Sequence, residues 1–501
     1  APTQRYETRH LIQFTAHQTS DGQMDNTKKF YIGGQWVLPN GQETLQVLNP
    51  ATEQPIAEIA MGTEHDVNLA VASAQKAFQS FSRTSVKERI ELLEQVVAQY
   101  QRRLDDIAAA CCSEMGAPIG LAKAAQAPAG LGHFMATLEA LRSYQFEEII
   151  DATTVAYEPV GVCALITPWN WPLNQIAAKV APALATGCTM VLKPSELAPL
   201  NAIIVAEVLH EAGVPAGVFN LINGDGAVVG AALAKHPGVD MVSFTGSTRA
   251  GIEVAKNAAV TVKRVTQELG GKSANIVLDD ADLAEVISRD MHGMCVNTGQ
   301  SCNAGSRFLV PKEKMHQAAA FAKTAAESVV VGDPETDGTA MGPLVSQLQY
   351  DKVQRLIEQA IDEGASLVCG GLGRPAGLNV GYYVQPTVFS DVTNDMTIAR
   401  EEIFGPVITL IGYDSEENAI DIANDTVYGL SGYVSSPDQA RASRVARRLR
   451  TGMVHINGAG LDNRAPFGGY KQSGNGREFA GHGIRDFLEA KSIFGDNSGR
   501  N

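Results

Sequence analysis

"CTMVLKPSELAPLNAIIVAEVLHEAGVPAGVFNLING", residues 188–224, is the stretch that decides the fold. Its apolar segments at 188–194 and 217–224 are short, whereas 201–213 carries apolar residues at helical spacing. Short apolar runs separated by a helix-length pattern are typical of a strand–helix–strand unit with parallel strands. This stretch therefore predicts an α/β fold.

The same alternation continues on both sides of the stretch. Strand-like segments at 161–167, 239–246 and 262–269 are separated by helix-like segments. A second alternating series begins with the strand-like segment at 273–278 and runs to about residue 470. Repeated strand–helix units of this kind predict a doubly wound parallel sheet. We therefore expect a mixed α/β chain with at least one such sheet.

Other segments are less regular. Residues 69–146 are predicted to be mainly helical, and "MVHIN" at 453–457 is interpreted as a buried strand of the second series. "DATTVAYEPVG" at 151–161 alternates like an exposed strand, which indicates a sheet edge or an arm. Residues 1–23 have no pattern and Met24 resembles a natural start, so we treat 1–28 as an N-terminal extension.

The composition excludes several classes of protein. The 501 residues are 45% hydrophobic and 19% charged, which is ordinary for two or three globular domains. A net charge of −15 disfavours binding to nucleic acid or to an anionic membrane. The basic run at 441–450 has helical spacing, which favours a solvated helix face over a phosphate-binding patch. We find no apolar run of membrane-spanning length and no signal peptide.

The cysteines indicate where the chain works and what one of them does. Seven scattered cysteines, an odd number, predict free thiols in a reducing compartment, the cytoplasm. Cys295 and Cys302 with His292 lack a fourth metal ligand at suitable spacing, so no metal site is expected. Within "VNTGQSCNAGSR" (296–307), Cys302 is either a buried structural thiol or an activated nucleophile, and this stretch alone leaves both open.

Three other segments offer partners for a nucleophile. Asn170 in "TPWNWPL" can donate to an oxyanion, and Glu268 in "QELGGKS" is a candidate general base. Glu402 and Phe404 in "EEIFGPV" suit the ribose and ring of a nicotinamide. Each of these residues, taken alone, is more readily interpreted as a loop residue or a core aromatic.

Two strand ends resemble a nucleotide site. In "SFTGSTRAG" (243–251), Gly246 allows close backbone approach and Ser247 begins a helix whose N-terminus can bind a pyrophosphate. In "VLKPSE", Lys193 and Glu196 can contact the hydroxyls of an adenosine ribose, and the carboxylate would repel a 2′-phosphate. The pattern thus favours NAD, with NADP less suitable. "NGDGAVVG" (223–230) has one residue too many for the usual dinucleotide fingerprint.

Together these segments resemble the NAD(P)-dependent aldehyde dehydrogenase superfamily, from about residue 29 to 495. The motifs that carry the resemblance stand in the family's order: "TPWNWPL", "LKPSE", "FTGS", "ELGGKS", "GQSCNAGSR", "EEIFGPV", "NDTVYGLSGYV" and "PFGGYKQSGNGRE".

The resemblance implies an architecture of three parts. It implies an NAD-binding domain with a doubly wound parallel sheet from 29–144 and 162–271, and an α/β catalytic domain from 272–471. A small β oligomerisation arm would comprise 145–161 and 485–501. The implied assembly is a homodimer or a homotetramer.

The resemblance also implies a mechanism of the hydrolytic, non-CoA-acylating type. The thiol of Cys302 would attack an aldehyde, and Asn170 with the Cys302 backbone N–H would hold the oxyanion. The thiohemiacetal would pass a hydride to the nicotinamide, and Glu268 would activate water to hydrolyse the thioester. Lys179 and Glu478 would support Glu268 or relay protons.

The remaining site residues follow from the motif match. The implied cofactor-binding residues are Ile166, Thr167, Pro168, Trp169, Lys193, Ser195, Glu196, Gly226, Gly230, Phe244, Thr245, Gly246, Ser247, Leu269, Gly270, Glu402 and Phe404. The candidate substrate-tunnel residues are Trp171, Asn174, Gln175, Ala178, Ser301, Asn303, Arg464 and Phe467.

The tunnel residues suggest the class of aldehyde. Asn174, Gln175 and Ala178 stand where many relatives carry bulky apolar side chains, which predicts a wider, more polar tunnel. A polar, aromatic or semialdehyde substrate suits such a tunnel. Arg464 either pairs with a substrate carboxylate or is a solvated loop residue.

Three alternatives remain to be weighed. A CoA-acylating semialdehyde dehydrogenase would not need Glu268 as a base for water. A catalytically silent structural relative would not need Cys302, Asn170 and Glu268 together. A cofactor-independent cysteine hydrolase would need a histidine near Cys302, and the sequence offers none there.

Overall fold

The computed structural model describes residues 25–496 and 498. Of the N-terminal extension expected at 1–28, residues 1–24 lie outside the described residues. In chain order the strands are β1 (Phe30–Ile32), β2 (Gln35–Val37), β3 (Thr44–Leu48), β4 (Pro55–Ala60), β5 (Glu147–Ile150), β6 (Thr153–Pro159), β7 (Val162–Ile166), β8 (Thr189–Lys193), β9 (Phe219–Leu221), β10 (Met241–Thr245), β11 (Arg264–Glu268), β12 (Ala274–Val277), β13 (Arg307–Pro311), β14 (Ser366–Cys369), β15 (Thr387–Ser390), β16 (Val407–Tyr413), β17 (Ser431–Ser435), β18 (Met453–Ile456), β19 (Gly474–Asn475) and β20 (Leu488–Phe494).

The α-helices are α1 (Glu64–Phe81), α2 (Val86–Arg102), α3 (Leu104–Met115), α4 (Ile119–Leu121), α5 (Ala127–Leu141), α6 (Pro172–Thr186), α7 (Leu200–Glu211), α8 (Ala231–Lys235), α9 (Thr248–Ala259), α10 (Leu283–Cys295), α11 (Met315–Glu327), α12 (Gln347–Asp362), α13 (Thr397–Arg400), α14 (Glu416–Asn424), α15 (Gln439–Ala446) and α16 (Ala480–Asp486). Among the residues that the structure describes, no helix is long and apolar enough to cross a membrane.

The first sheet has eight strands in the order β19-β11-β10-β7-β8-β9-β1-β2. Its central strands, from β11 to β9, are parallel, and β1, β2 and β19 are antiparallel to their neighbours. The residues of β7, β8, β9 and β10 are all buried, because a parallel sheet joined by helical crossovers is covered on both faces. This is the doubly wound sheet predicted from the repeated strand–helix units between residues 161 and 269.

The second sheet has seven strands in the order β14-β15-β16-β13-β12-β17-β18, and all but β14 run parallel. The mixed α/β fold class is therefore confirmed. The prediction of a buried strand at 453–457 is wrong in one respect: β18 is the edge strand, and only His455 in it is fully buried. An edge strand has a hydrogen-bonding neighbour on one side only, which leaves it more exposed.

A three-stranded antiparallel sheet, β20-β6-β5, stands apart from the two large sheets. Residues 151–161 were expected at a sheet edge or in an arm. Because β6 is the central strand of this small sheet, the prediction of an edge strand is wrong. All residues of β5 are exposed. We call β5, β6 and β20 the arm sheet.

The basic run at 441–450 covers the end of α15. Arg441 binds Asp279 and Glu416, each at 2.7 Å, and Arg448 binds Glu417. These cations are thus neutralised by the chain's own carboxylates.

Candidate active site

The loop that carries Cys302 begins with a sharp change of direction after α10. Asn297, Thr298 and Gly299 have positive φ angles of 54°, 59° and 70°. A Cβ atom on Gly299 would collide with the carbonyl oxygen of Gly405, so only glycine fits there. Cys302 lies beyond this turn, whereas Cys295 stays buried in the helix.

Buried amides join this loop to the loop that carries Asn170. The Asn297 side-chain amide donates to the carbonyl oxygens of Asn170 and Gln300, at 2.8 and 3.2 Å. Nδ2 of Asn170 donates to the Gln300 carbonyl at 3.1 Å, and Nε2 of Gln126 donates to the Asn170 carbonyl at 3.1 Å. These hydrogen bonds therefore fix the position of the Cys302 loop relative to the Asn170 loop. Asn297 and Gln126 were not predicted.

Cys302 lies against an apolar cluster formed by Ala178, Leu430, Phe467 and Phe479. Burial raises the pKa of the Cys302 thiol, and the nearby carboxylates of Glu402 and Glu268 raise it further. Hydrogen bonds from the backbone N–H groups of Asn303 and Cys302 oppose this increase. The free thiol is therefore neutral, and the N–H groups are positioned to stabilise negative charge that develops at this point.

Glu268 ends β11 and is buried, with neither carboxylate oxygen hydrogen-bonded to any described residue. Burial and the charge of Glu478 raise its pKa well above the ordinary value, while Lys179 lowers it. Nζ of Lys179 donates to Oε1 of Glu478 at 2.6 Å and to the hydroxyl of Ser243 at 2.9 Å. A buried carboxyl with a raised pKa is suited to general-base chemistry.

The turn between β10 and α9 has the features of a phosphate site. Ser247 caps α9, its hydroxyl accepting from Ala250 N at 3.2 Å. A Cβ atom on Gly246 would lie 2.6 Å from the ring of Phe244, so there is no room for a side chain at this position. The hydroxyl of Thr245 is buried without a partner among the described residues. A capped helix start, a bare glycine and an unpaired hydroxyl fit the pyrophosphate of a dinucleotide.

A polar corner formed by Lys193, Ser195 and Glu196 lies at the end of β8. Nζ of Lys193 donates to the Pro194 carbonyl at 2.9 Å and lies 3.4 Å from Oε2 of Glu196. Burial lowers the pKa of Lys193, and the charge of Glu196 opposes this decrease. A Cβ atom built on Gly230 would lie 3.8 Å from Cδ of Lys193, at ordinary van der Waals distance, so Gly230 faces the Lys193 stem. The corner fits a ribose diol.

Glu402 and Phe404 lie on the opposite side, towards Cys302. The backbone N–H of Gly271 donates to Oε1 of Glu402 at 3.1 Å, and a Cβ atom on Gly270 would lie 2.7 Å from the other oxygen. Phe404 has a φ of 62° and meets Trp169 edge-on at 5.5 Å. The predicted residues Trp169, Gly270, Glu402 and Phe404 are thus brought together.

The sequence reasoning missed two polar residues one turn apart on α12. Burial lowers the pKa of Lys352, and the charge of Glu402 opposes this, which places the ammonium near that carboxylate. Oε1 of Gln349 is buried without a partner among the described residues. In the sequence, the only indication of a site here is a pair of polar residues three positions apart, and such pairs are common on the exposed face of an amphipathic helix.

The other predicted cofactor residues occupy the same edge of the first sheet. Thr167 has a buried hydroxyl without a described partner, and the Ser195 hydroxyl accepts from Leu197 N at 3.2 Å. Leu269 packs against Gly251 of α9. The rest are placed by their elements: Ile166 at the end of β7, Pro168 in the loop after it, and Gly226 in the turn before α8.

The candidate tunnel residues divide into a polar group and an apolar group. Nε1 of Trp171 donates to the Ser301 hydroxyl at 2.8 Å. Oδ1 of Asn174 lies 2.5 Å from Nε2 of His133, and its amide donates to Gln175. His133, which was not predicted, lies 4.3 Å from Phe479 between ring centroids. This polar group therefore lies beside the apolar cluster that contains Ala178 and Phe467.

Two predicted tunnel residues contribute differently. The Asn303 carbonyl accepts from the hydroxyl of Tyr433 at 2.6 Å, so the backbone of Asn303 is anchored next to Cys302. The Arg464 side chain is 69% exposed and binds Asp462 at 2.9 Å. The structure thus favours the solvated loop reading of Arg464.

Within the described residues, no cluster of three or more metal-ligating side chains is found. The seven cysteines are free thiols.

An α/β fold with a sheet edge that fits a dinucleotide, beside a cysteine and a buried carboxyl group, is the arrangement expected of an NAD-dependent dehydrogenase. The chain belongs to the aldehyde dehydrogenase family: residues 36–493 match the sequence model of that family. Membership confirms the resemblance, the enzyme class and the fold class inferred from the motifs.

Individual relatives are similar along almost their whole length. The chain is 59% identical to a 3-succinoylsemialdehyde-pyridine dehydrogenase of a Pseudomonas species, over 94% of this chain and 99% of that protein. Aldehyde dehydrogenase C of Pseudomonas syringae, solved with NAD⁺ and octanal, has 49% identity and a TM-score of 0.94 over 95% of this chain and 98% of that one. Betaine aldehyde dehydrogenase of Staphylococcus aureus, solved with NAD⁺, has 36% identity and a TM-score of 0.91 over 94% and 95%.

Proposed function

We propose that this enzyme oxidises an aldehyde to the carboxylic acid, with NAD as the oxidant and Cys302 as the nucleophile. One observation carries the proposal: a Cβ atom on Gly271, three residues after Glu268, would lie 2.5 Å from the Cys302 carbonyl oxygen, and the N–H of Gly271 donates to Oε1 of Glu402 at 3.1 Å. The three segments that carry the nucleophile, the candidate base and the cofactor-site carboxylate are therefore packed together. The NAD⁺ bound in two solved relatives supports the choice of cofactor.

In the first half of the reaction, the Cys302 thiol releases its proton to solvent, its sulfur bonds to the carbonyl carbon, and the carbonyl oxygen becomes an oxyanion. Asn170 donates one N–H to Gln300, which leaves the second for the oxyanion, together with the backbone N–H of Cys302. NAD, when bound, supplies the acceptor for the hydride that leaves the same carbon. The apolar cluster around Cys302 keeps competing water away from the thiohemiacetal.

In the second half, water attacks the thioester and Glu268 takes a proton from that water. The carbon–sulfur bond then breaks, which releases the acid and regenerates Cys302. The ion pair between Lys179 and Glu478 flanks Glu268, and the effects of its two charges on the pKa of that carboxyl oppose each other. Lys179 and Glu478 are therefore positioning residues for the base.

The test is a comparison of three variants in an NADH assay. Cys302→Ala is expected to abolish NADH formation, and Glu268→Gln to leave a burst of NADH followed by slow turnover. Cys295→Ala is the matched control, because this thiol is buried in α10 and is expected to leave turnover nearly unchanged. Full steady-state activity in Cys302→Ala would refute the mechanism. Rapid hydrolytic turnover without added CoA would separate the enzyme from the CoA-acylating class.

We propose a preference for NAD over NADP because of Glu196. Its carboxylate lies 3.4 Å from Nζ of Lys193 at the ribose corner, where a 2′-phosphate would bring a second negative charge. The ratio of kcat/KM with NAD to that with NADP should be well above one, and a ratio near one would contradict the assignment.

We propose that the substrate is a functionalised aldehyde, aromatic or semialdehyde, rather than a plain alkyl aldehyde. The polar group of His133, Asn174 and Gln175 lies beside Phe479 of the apolar cluster, so the tunnel wall offers both ring contacts and hydrogen bonds. The relative that is 59% identical acts on a pyridine semialdehyde, which supports this class. Because Arg464 is engaged by Asp462, we assign it no carboxylate-binding role.

A panel of aldehydes tests the substrate class. Octanal, pyridine-carboxaldehyde, benzaldehyde and a carboxylated semialdehyde would be compared by kcat/KM under the same conditions. The aromatic aldehydes or the semialdehyde should exceed octanal in kcat/KM, and Asn174→Leu should reduce that advantage. A preference for octanal in the wild-type enzyme would contradict the proposed class.

We propose that the enzyme is a homodimer or homotetramer assembled through the arm sheet. Large apolar side chains are exposed there: Ile149 at 55%, Ile150 at 53% and Phe494 at 83%. Exposed apolar groups along an unpaired strand are typical of an interaction surface. We further propose a reducing, cytoplasmic location, which the seven free thiols support.

A further inference from the structure

Glu114, on α3, is a buried carboxylate that caps another helix. Its side chain is 1% exposed; Oε2 accepts from Leu200 N at 2.7 Å, and Oε1 accepts from Asn201 N at 3.0 Å. Leu200 is the first residue of α7, and the N-cap residue Pro199 offers no side-chain acceptor. The first free N–H groups of α7 are thus satisfied from α3, and their partial positive charge stabilises the buried carboxylate.

A continuous set of hydrogen bonds leads from Glu114 to the ribose corner. The Asn201 side-chain amide donates to Oε1 of Glu114 at 2.6 Å and to the Ala198 carbonyl at 2.8 Å. The N–H of Ala198 in turn donates to the Ser195 carbonyl at 3.2 Å. Ser195 and its neighbour Glu196 belong to the corner beside Lys193. The segment 194–199 is therefore tied at its far end to α3.

We propose that Glu114 is a positioning residue of the cofactor site: by holding the start of α7, it fixes segment 194–199 in the shape that presents Ser195 and Glu196 to the adenosine ribose. The inference rests on the proposed function only for the identity of the cofactor. A glutamine at 114 has the same size but a single acceptor oxygen, so its amide group would face N–H donors of α7. Losing one of the two acceptor oxygens there should loosen segment 194–199 and leave Cys302 and Glu268 in place.

Binding measurements on the free enzyme test this role directly. In Glu114→Gln, the Kd values for NAD and for AMP, which carries the same ribose, should both rise about tenfold. The Kd of nicotinamide mononucleotide and kcat at saturating NAD should change by less than about twofold. Amide hydrogen exchange at Leu200 and Asn201 should be faster in the unliganded variant.

Ile107→Val is the matched control, because Ile107 is buried on the same helix about two turns before Glu114 and offers no hydrogen-bond acceptor to α7. Ile107→Val should reduce the free energy of unfolding about as much as Glu114→Gln does, and should leave the Kd values for NAD and AMP unchanged. Unchanged Kd values in folded Glu114→Gln, or a fall in kcat alone, would overturn the inference.

If that variant does not fold, a second variant takes its place. Asn201→Ala removes the hydrogen bond to the Ala198 carbonyl and should still weaken AMP binding. Unchanged AMP binding in Asn201→Ala would also overturn the inference. Wild-type enzyme that binds no NAD would instead refute the proposed function.

Discussion

The carboxyl group of Glu268 should give the enzyme its pH dependence. Burial and the charge of Glu478 raise its pKa, and only the ionised form can take a proton from water. Where hydrolysis limits turnover, kcat should therefore increase with pH through that raised pKa and reach a plateau above it. The measurement is kcat against pH with saturating NAD and aldehyde, alongside the amplitude of the NADH burst.

Two variants check that assignment. Glu268→Gln should lose the rise in kcat while it keeps the burst, since the base is gone but Cys302 remains. Glu253→Gln replaces an exposed carboxylate on α9 that pairs with Lys256, so it should keep the wild-type profile. A rise in kcat that persists in Glu268→Gln would assign the titration to another group.

Lys272 should lower the stability of the folded enzyme at neutral pH. Its ammonium is buried without a partner among the described residues, and burial lowers its pKa to about 7. The unfolded chain keeps this proton up to about pH 10.4, so unfolding takes up a proton between the two pKa values. The cost is therefore fully present below pH 7, and stability increases as pH rises from about 7 towards 10.

Lys272→Met retains the length of the side chain and removes the charge. It should increase the free energy of unfolding at pH 7 by a few kcal/mol, on the order that the lowered pKa implies, and remove that part of the pH slope. Lys256→Met, at a largely exposed position, should change stability by less than about 0.5 kcal/mol. Thermal unfolding at pH 7 and pH 9 makes the comparison; equal shifts in both variants would contradict it.

At the scale of elements, the turn between α10 and Cys302 depends on Gly299. Its φ of 70° and its contact with Gly405 leave no room for a Cβ atom. Gly299→Ala should reduce stability by about 2–4 kcal/mol and kcat/KM by more than about tenfold, because the displaced turn carries Cys302 with it.

Gly293 offers the opposite case within α10. Nothing lies within 4 Å of a Cβ atom built there, so Gly293→Ala should stabilise the helix by up to about 1 kcal/mol and leave kcat/KM unchanged. Urea denaturation and steady-state kinetics compare the pair. A Gly299→Ala enzyme as active and stable as wild type would show that the turn is not constrained as described.

Prediction from sequence succeeded where the pattern was local. The apolar runs and helical spacing in 188–224 lie within single elements, so strand–helix alternation was readable before any contact was known. The exposure of a strand depends on its neighbours instead, which is why the edge position of β18 and the central position of β6 were missed. No local pattern states where in a sheet a strand will pair.

Within the site, motifs identified residues whose chemistry is unusual for their surroundings, such as Cys302 and Glu268. Residues that act through distant contacts gave no such signal: Gln126 bonds to Asn297 across 171 positions, and Glu114 bonds to Leu200 across 86. Each of them also fits an ordinary polar position on a helix. Their roles follow from tertiary packing, which one sequence does not display.

At the scale of the whole molecule, the arm sheet should decide the state of assembly. Light scattering of the wild-type enzyme should give a dimer or a tetramer, and Phe494→Asp should shift it towards the monomer by placing a charge in the apolar surface. Val260→Asp changes a side chain that is 81% exposed at the end of α9, and should leave the assembly unchanged. A monomeric wild type would refute the proposal.

Finally, the pairing of β11 with β19 has a consequence for synthesis on the ribosome. The strand that ends in Glu268 has as its outer neighbour Gly474–Asn475, and Asn475 bonds to Gln267 across 208 positions. At translation rates of about 5–20 residues per second, that neighbour emerges roughly 10–40 seconds later. Cys302 follows Glu268 by 34 positions, so for most of this interval the nascent chain carries both the nucleophile and the base while one edge of the sheet is unfinished. The strand that carries the base can therefore pair with β10 early but with β19 only late, which leaves one open strand edge for chaperones to cover in the meantime.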